Sequence, residues 1–379
     1  MPGWSTRTSE RNDDTSALML GGGAPSVEIV VRASAPIPRS CSMTTLGSSA
    51  SPAVGTPRMI RFAFPAAIDC LVGVFPVTTP PVLLIVFNRP EVSQRMFDAV
   101  KRARPARLFI AADGPRGDRP GDEGLCDRTR AVFAHIDWPC DVQRLYRDEN
   151  LGLTAAVVSA ITWFFDHVDA GMILEDDCLP SPDFFRFSGE LLERYADAPQ
   201  VMHVSGLNMA PDRPFSPHSY FFAEVGHIWG WATWRRAWRL YDVGMADWPT
   251  FRHEFGFTAS PLRRALGRKF ASVRAGRKAT WSRAWYYTLL RHQGRAIIPS
   301  LNFIQNVGFG PDATHTRKDW HPLRRQASPA MTFPLSHPPD LTPNPAYTSL
   351  LAKYHYGSYA RRASELWWTA VDSVTRTSH

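Results

Sequence analysis

At 379 residues the chain is long enough for about two domains, or one large domain with extensions, and needs no disulfide or structural metal to hold a core. Apolar residues make up 44% and charged residues 21%, which excludes a wholly disordered or collagen-like chain. The formal charge of +8 invites an anionic partner, while five scattered cysteines without a C-x-x-C exclude zinc-ribbon, thioredoxin-like and disulfide-scaffold classes.

Residues 1–78 are rich in Ser, Thr, Pro, Gly and Ala, contain no lysine and show no sustained periodicity. Such a stretch buries too little apolar area to offset its ordering entropy, so a disordered extension is expected. Gly21-Gly22-Gly23 has no strand and helix around it and no following Lys-Ser/Thr, which argues against a phosphate loop. The most apolar stretch, 62–77, is interrupted by Pro65, Asp69 and Pro76, and the first residues lack the apolar core of a secretory signal. A cytoplasmic protein, peripheral to a membrane at most, is the expectation.

After Pro81 the texture becomes regular. The run VLLIVF at 82–87 is the pattern of a strand buried on both faces. Pro90 opens an amphipathic helix to about 103, consistent with proline in a first turn. A strand at 107–112 ends at Asp113-Gly114-Pro115, and a helix at 123–135, a strand at 142–146 and a helix at 154–168 follow. A fourth strand, 171–174, runs straight into Glu175-Asp176-Asp177. Strands alternating with helices predict an α/β fold with a parallel-dominated sheet. In such sheets the ligand crevice lies beyond the carboxyl ends of the strands. Three of those ends carry polar groups: Asn88-Arg89, Asp113 and the acidic triplet.

Three adjacent carboxylates repel one another, and a divalent cation relieves the repulsion. Oxygen ligands favour Mg2+ or Mn2+. A solvated loop with Asp177 near a helix start is equally compatible with the triplet alone.

The segment ILEDD at 173–177 followed by Pro182-Asp183-Phe184-Phe185 resembles the metal-site motif of GT-A-fold glycosyltransferases. Within that class the chain resembles the N-acetylglucosaminyltransferase I type and the bacterial haemolytic-protein-like sugar transferases. Further segments match the bacterial group in order: VFNRP at 86–90, NLGL at 150–153, WGWATW at 229–234, NVGFG at 306–310 and DATHT at 312–316. The resemblance implies a GT-A-like (nucleotide-diphospho-sugar transferase) domain over 79–320, with a C-terminal tail at 321–379 that could end in a helix. It implies transfer of a sugar from a nucleoside-diphosphate donor, UDP favoured, to a glycan or lipid-linked acceptor, with inversion and with Mn2+ or Mg2+ as cofactor. Asp113 then reads the base, Asn88 and Arg89 meet the nucleotide, and Glu175 and Asp176 accept sugar and ribose hydroxyls. Asp177 ligates the metal, His315 joins it or the diphosphate, and Trp229, Gly230 and Trp231 line the acceptor side.

Three features stand apart. Relatives carry an acid directly after the first Trp of Trp281-Ser282-Arg283-Ala284-Trp285, where this chain has Ser282. Inverting transfer needs a general base at the acceptor hydroxyl, so Asp247, Glu254 or Asp312 substitutes, or the protein binds sugar nucleotides or glycans without turnover. Trp231, Trp234 and Trp238 are spaced by three and four, which predicts one helix face, with Trp234 and Trp238 in the core. Residues 260–295 hold ten Lys/Arg and no acid. This block is a solvated helical face or meets a diphosphate, an anionic acceptor or an anionic membrane; no nucleic-acid motif accompanies it.

Overall fold

The computed structural model describes residues 15–18, 29–32, 79–256, 260–276, 280–308 and 330–356. The chain divides into two units, Met1–Leu71 and Val72–His379. In the first, β1 (Thr15–Leu18) and β2 (Ile29–Arg32) form an antiparallel pair with Thr15 opposite Arg32. The rest of the expected extension lies outside the described residues.

The second unit opens with β3 (Val82–Val86), α1 (Pro90–Ala103), β4 (Arg107–Ala112), α2 (Asp122–Ala131), β5 (Asp141–Tyr146), α3 (Leu153–His167) and β6 (Ala170–Glu175). These strands pair in parallel in the order β5-β4-β3-β6, as the alternating pattern predicts. Then come β7 (Cys178–Pro180), α4 (Pro182–Arg194), β8 (Val201–Ser205), β9 (Tyr220–Ala223), β10 (Trp231–Trp234) and α5 (Arg235–Trp238). The last elements are α6 (Trp248–Glu254), α7 (Pro261–Arg274), α8 (Trp281–Arg291), β11 (Arg295–Pro299), β12 (Ile304–Asn306) and α9 (Pro345–Leu350), which runs on into a π-helical turn, Leu351–Tyr356. The central sheet has eight strands in the order β5-β4-β3-β6-β10-β8-β11-β9, with β10 antiparallel to both neighbours, β11 parallel to β8 and β9 antiparallel at the edge. The fold is α/β with a mostly parallel central sheet.

Alternation along β3 assigns the two faces. Val82, Leu84 and Val86 pack with Met96, Phe97 and Val100 of α1 and with Phe184 and Phe187 of α4. Leu83 points the other way, to Val157, Ile161 and Phe164 of α3 and to Trp285 and Leu289 of α8. A third apolar cluster joins α6, α7, α8 and α9 through Trp248, Phe270, Tyr287 and Tyr347. Each large side chain taken fully out of water stabilises the fold by roughly 1.5–3 kcal/mol.

The tryptophan block is not one helix face. Trp231 and Trp234 begin and end β10, pairing with Ile173 and Ala170 of β6. The period of two sends Trp234 and Ala232 to the α1/α4 face, and Trp231 to the α3/α8 face with Trp238 of α5. The core positions of Trp234 and Trp238 agree with expectation; the helix does not. Among the described residues no helix is long and apolar enough to cross a membrane.

Candidate functional site

Because β3, β4 and β6 are parallel neighbours, their carboxyl ends bring residues 87–89, 113 and 175–177 to one edge of the sheet. The pairing continues past the strands: Asp113 N donates to Val86 O at 3.3 Å and Asp176 N to Ile85 O at 3.1 Å. Proline at the first turn of α1 stops β3 and leaves Arg89 at the helix entrance.

Arg89 is the hub. Its Nε donates to Asp176 Oδ2 at 3.1 Å, its Nη2 donates to Asp176 Oδ1, and its Nη1 donates to Asp177 Oδ2 at 3.4 Å. Asp176 is only 3% exposed, while Arg89 keeps 29% of its side chain in solvent, so this fork is a partly buried pair. Burial opposes the Arg89 charge, yet Asp176 and Asp177 together hold the guanidinium above its usual value. Burial, and then Asp177 and Asp176, push the Glu175 carboxyl well up. Burial also raises Asp176, against the pull of Arg89. Glu175 Oε1 is buried without a hydrogen-bond partner among the described residues.

Asp177 is braced from a distant part of the chain. β12 pairs with β7, and Val307 N donates to the Asp177 carbonyl at 2.8 Å. A Cβ on Gly308 would overlap the Asp177 carboxylate, standing 2.9 Å from Cγ. The glycine of the NVGFG motif thus lets backbone and carboxylate meet. These oxygens suit a hard divalent cation: an oxygen-only set, a partly exposed Asp177 and an orphaned Glu175 oxygen. No group of three His, Cys, Asp or Glu side chains is arranged as a metal cage among the described residues.

Asp113 closes the other side. Its carboxylate accepts from Asn150 Nδ2 at 3.0 Å and from Leu151 N at 3.1 and 3.2 Å, while Asn150 also donates to Gly114 O at 2.9 Å. The Asn-Leu-Gly-Leu motif therefore grips the Asp-Gly turn. A carboxylate has about four acceptor positions, so Asp113 keeps capacity for one more donor. Asn88 is used structurally, donating to Asp122 Oδ1 at 2.5 Å. Asp122 also takes three bonds from Arg116, which hold it well below the usual carboxylate range, and Arg116 lies over the Phe87 ring at 5.2 Å. Asp122 and Arg116 were not expected from sequence; an acidic residue opening α2 reads locally as a helix start.

The expected acceptor residues divide. Gly230 adopts φ +57, its carbonyl accepts from Gly206 N at 2.8 Å, and a Cβ there would overlap Ile304 of β12. Its turn thus brings β12 against the start of β10. Trp229 is half-buried against the α1/α4 cluster. Trp231 is fully buried, stacked between His203 at 5.0 Å and Trp281 at 6.1 Å, and offers no face to a ligand. Its expected acceptor contact is replaced by core packing, because strand alternation turns it inward.

Among the described base candidates, neither Asp247 nor Glu254 bonds to a residue of the acidic edge. Asp247 accepts from Tyr287 Oη and Arg291 Nε. Although burial pushes it up, those two donors leave the Asp247 carboxyl below its ordinary value, which suits an ion pair better than a proton acceptor. Glu254 borders a separate cavity of about 280 Å3 with Arg263, Arg291 and Arg295. Ser282 is half-buried in the first turn of α8. Asp312 and His315 lie outside the described residues.

No protein-family model matches the chain, and no curated protein matches it in sequence. Among solved structures, the mannosyltransferase PcManGT from Pyrobaculum calidifontis, in complex with GDP-Man and Mn2+, is 17% identical over 56% of this chain and 69% of its own, with a TM-score of 0.32. HddC from Yersinia pseudotuberculosis is 10% identical over 42% and 78%, with a TM-score of 0.26. The bifunctional glycosyltransferase WbbM is 12% identical over 57% and 38%, with a TM-score of 0.27. At such values none of them lends a residue role to this chain.

Proposed function

We propose that this protein is a metal-dependent glycosyltransferase of GT-A type that takes its sugar from a nucleoside-diphosphate donor. The observation that carries the reading is the acidic edge itself: three carboxylates at a parallel strand's end, one oxygen buried and orphaned, with an arginine at their mouth. Acids so placed lower the stability of the empty protein, and a bound cation and diphosphate restore the balance.

In this reading Asp177 holds the metal, which as Lewis acid would stabilise charge on the departing diphosphate. Glu175 and Asp176 orient the sugar and ribose through their hydroxyls. Asp113, fixed by Asn150 and Leu151, has one acceptor position left for the base, for which uracil is favoured. Arg89 carries positive charge to the phosphates, as the only donor fork bonded to both Asp176 and Asp177 among the described residues. The acceptor is a glycan or lipid-linked saccharide and the stereochemistry is inversion; both follow from the motif resemblance. A second reading, a sugar-nucleotide-binding protein without turnover, is favoured by one observation: neither Ser282 nor the ion-paired Asp247 is a competent base.

Release of nucleoside diphosphate from a panel of UDP- and GDP-sugars, with and without Mn2+, separates the two. Metal-dependent release above the buffer rate supports the transferase. Metal-dependent binding without release over hours supports the binding protein.

A further inference from the structure

An arginine fork stands where the donor-site reading puts a metal. Both oxygens of Asp176 are occupied by Arg89, and the third arm of the same guanidinium is 3.4 Å from Asp177 Oδ2. A planar guanidinium suits this, since one charge can bind two carboxylates at once. Without ligand, Arg89 therefore does what a divalent cation would do. The compensation is incomplete, because the fork leaves Glu175 Oε1 without a partner. Two cations on one half-buried carboxylate repel strongly and are poorly screened.

The geometry points to Arg89 as a resident counter-cation that keeps a divalent metal off Asp177 until a nucleoside diphosphate arrives. Phosphate oxygens then draw the guanidinium away, since arginine forks onto phosphate as readily as onto carboxylate and a diphosphate brings more than one negative charge. Released, Asp177 and the phosphates together meet the metal. Binding is therefore ordered, with the metal dependent on the nucleotide. This inference rests on the donor-site reading and adds a regulatory role that the reading does not require.

Calorimetric titration of MnCl2 into the full chain tests it, using wild type, Arg89→Met, Arg89→Gln and Asp177→Asn, each with and without saturating UDP or GDP. With Mn2+ alone, Arg89→Met binds at least tenfold tighter than wild type, and Asp177→Asn binds neither better nor measurably. With nucleotide, wild type gains at least tenfold in Mn2+ affinity and Arg89→Met gains much less. Arg89→Gln keeps a donor for Asp176 without the charge, so it carries the same expectation should the methionine variant misfold. Equal Mn2+ affinity of wild type and the neutral variants, measured without nucleotide, overturns the counter-cation role and leaves the donor site standing. Absence of Mn2+ binding in every form, with nucleotide or without, overturns the donor-site reading and this inference with it.

Discussion

At Gly308 the backbone lies against the Asp177 side chain, with room for hydrogen but not for a methyl group. Gly308→Ala must push that carboxylate aside or open the β7–β12 corner, and overpacking of this kind costs about 1–3 kcal/mol. We expect the variant to fold, with a slightly lower urea midpoint, and to lose most of its Mn2+-dependent response to nucleotide. A variant with wild-type metal response would show that Asp177 is not the metal's anchor. At this scale sequence is partly legible. The acidic triplet stands out because a continuous apolar strand ends in three acids, whose repulsion is computable from type alone. Arg89 is visible as a strand-end residue, but its fork to Asp176 joins positions 87 apart, and no local pattern encodes that contact. The same limit hides Asp122, whose partners Asn88 and Arg116 come from loops.

Among elements, β10 shows how spacing misleads. Tryptophans three and four apart fit a helix, yet Trp and Thr also favour strands, and a gap between β6 and β8 needs a strand to fill it. The outcome is a buried aromatic stack beside two histidines. His203 Nδ1 accepts from Trp285 Nε1 at 3.1 Å, and its Nε2 lies 3.0 Å from both Ser205 Oγ and His227 O. His227 Nε2 lies 2.8 Å from Tyr347 Oη, tying α9 to this core. Burial drives both histidines down to about 3, and in His227 the neighbouring His203 adds to it. Unfolded histidine titrates near about 6.5. The folded values are lower, so below about pH 6.5 the unfolded state takes up protons that the native state refuses. Stability is therefore complete above that pH and falls by roughly 1.4 kcal/mol per pH unit for each histidine as the pH drops toward the folded value. Glu175 and Asp176, raised by burial, work in the opposite sense over the same interval, so the histidine effect is read as a difference. Between pH 7 and pH 5 the urea midpoint of wild type should fall relative to that of His227→Gln; an unchanged difference would mean that His227 is not buried neutral. By contrast β3, β4 and β6 are legible, since a strand buried on both faces leaves a short continuous apolar run.

For the whole molecule, the parallel half of the sheet and its binding edge follow from strand–helix alternation, whereas the placement of β8 to β11 depends on long-range pairing. The basic block is less free than its composition suggests. Arg263 pairs with Glu224, Arg291 with Asp247, and Arg295 donates to the carbonyls of Leu341 and Gln293. Acids outside the block neutralise part of it, so a net count over 260–295 overstates what an anionic partner would meet. The division between Met1–Leu71 and Val72–His379 supports a boundary prediction: a chain beginning at Pro76 should unfold in the same single transition as the full protein. Aggregation or a much lower midpoint would place the N-terminal segment in the core.

The most direct test of the donor site is a thermal-unfolding series with nucleoside diphosphates, with and without Mn2+, on wild type and Asp177→Ala. Ligand at a hundredfold excess over Kd stabilises by about 2.7 kcal/mol, or about 3–4 °C in a chain of this size. That shift is expected in wild type only when nucleotide and Mn2+ are both present. Asp177→Ala, folded to the same baseline, should lose the metal-dependent part. An unchanged metal-dependent shift in Asp177→Ala, or no shift in wild type with any diphosphate, would contradict it.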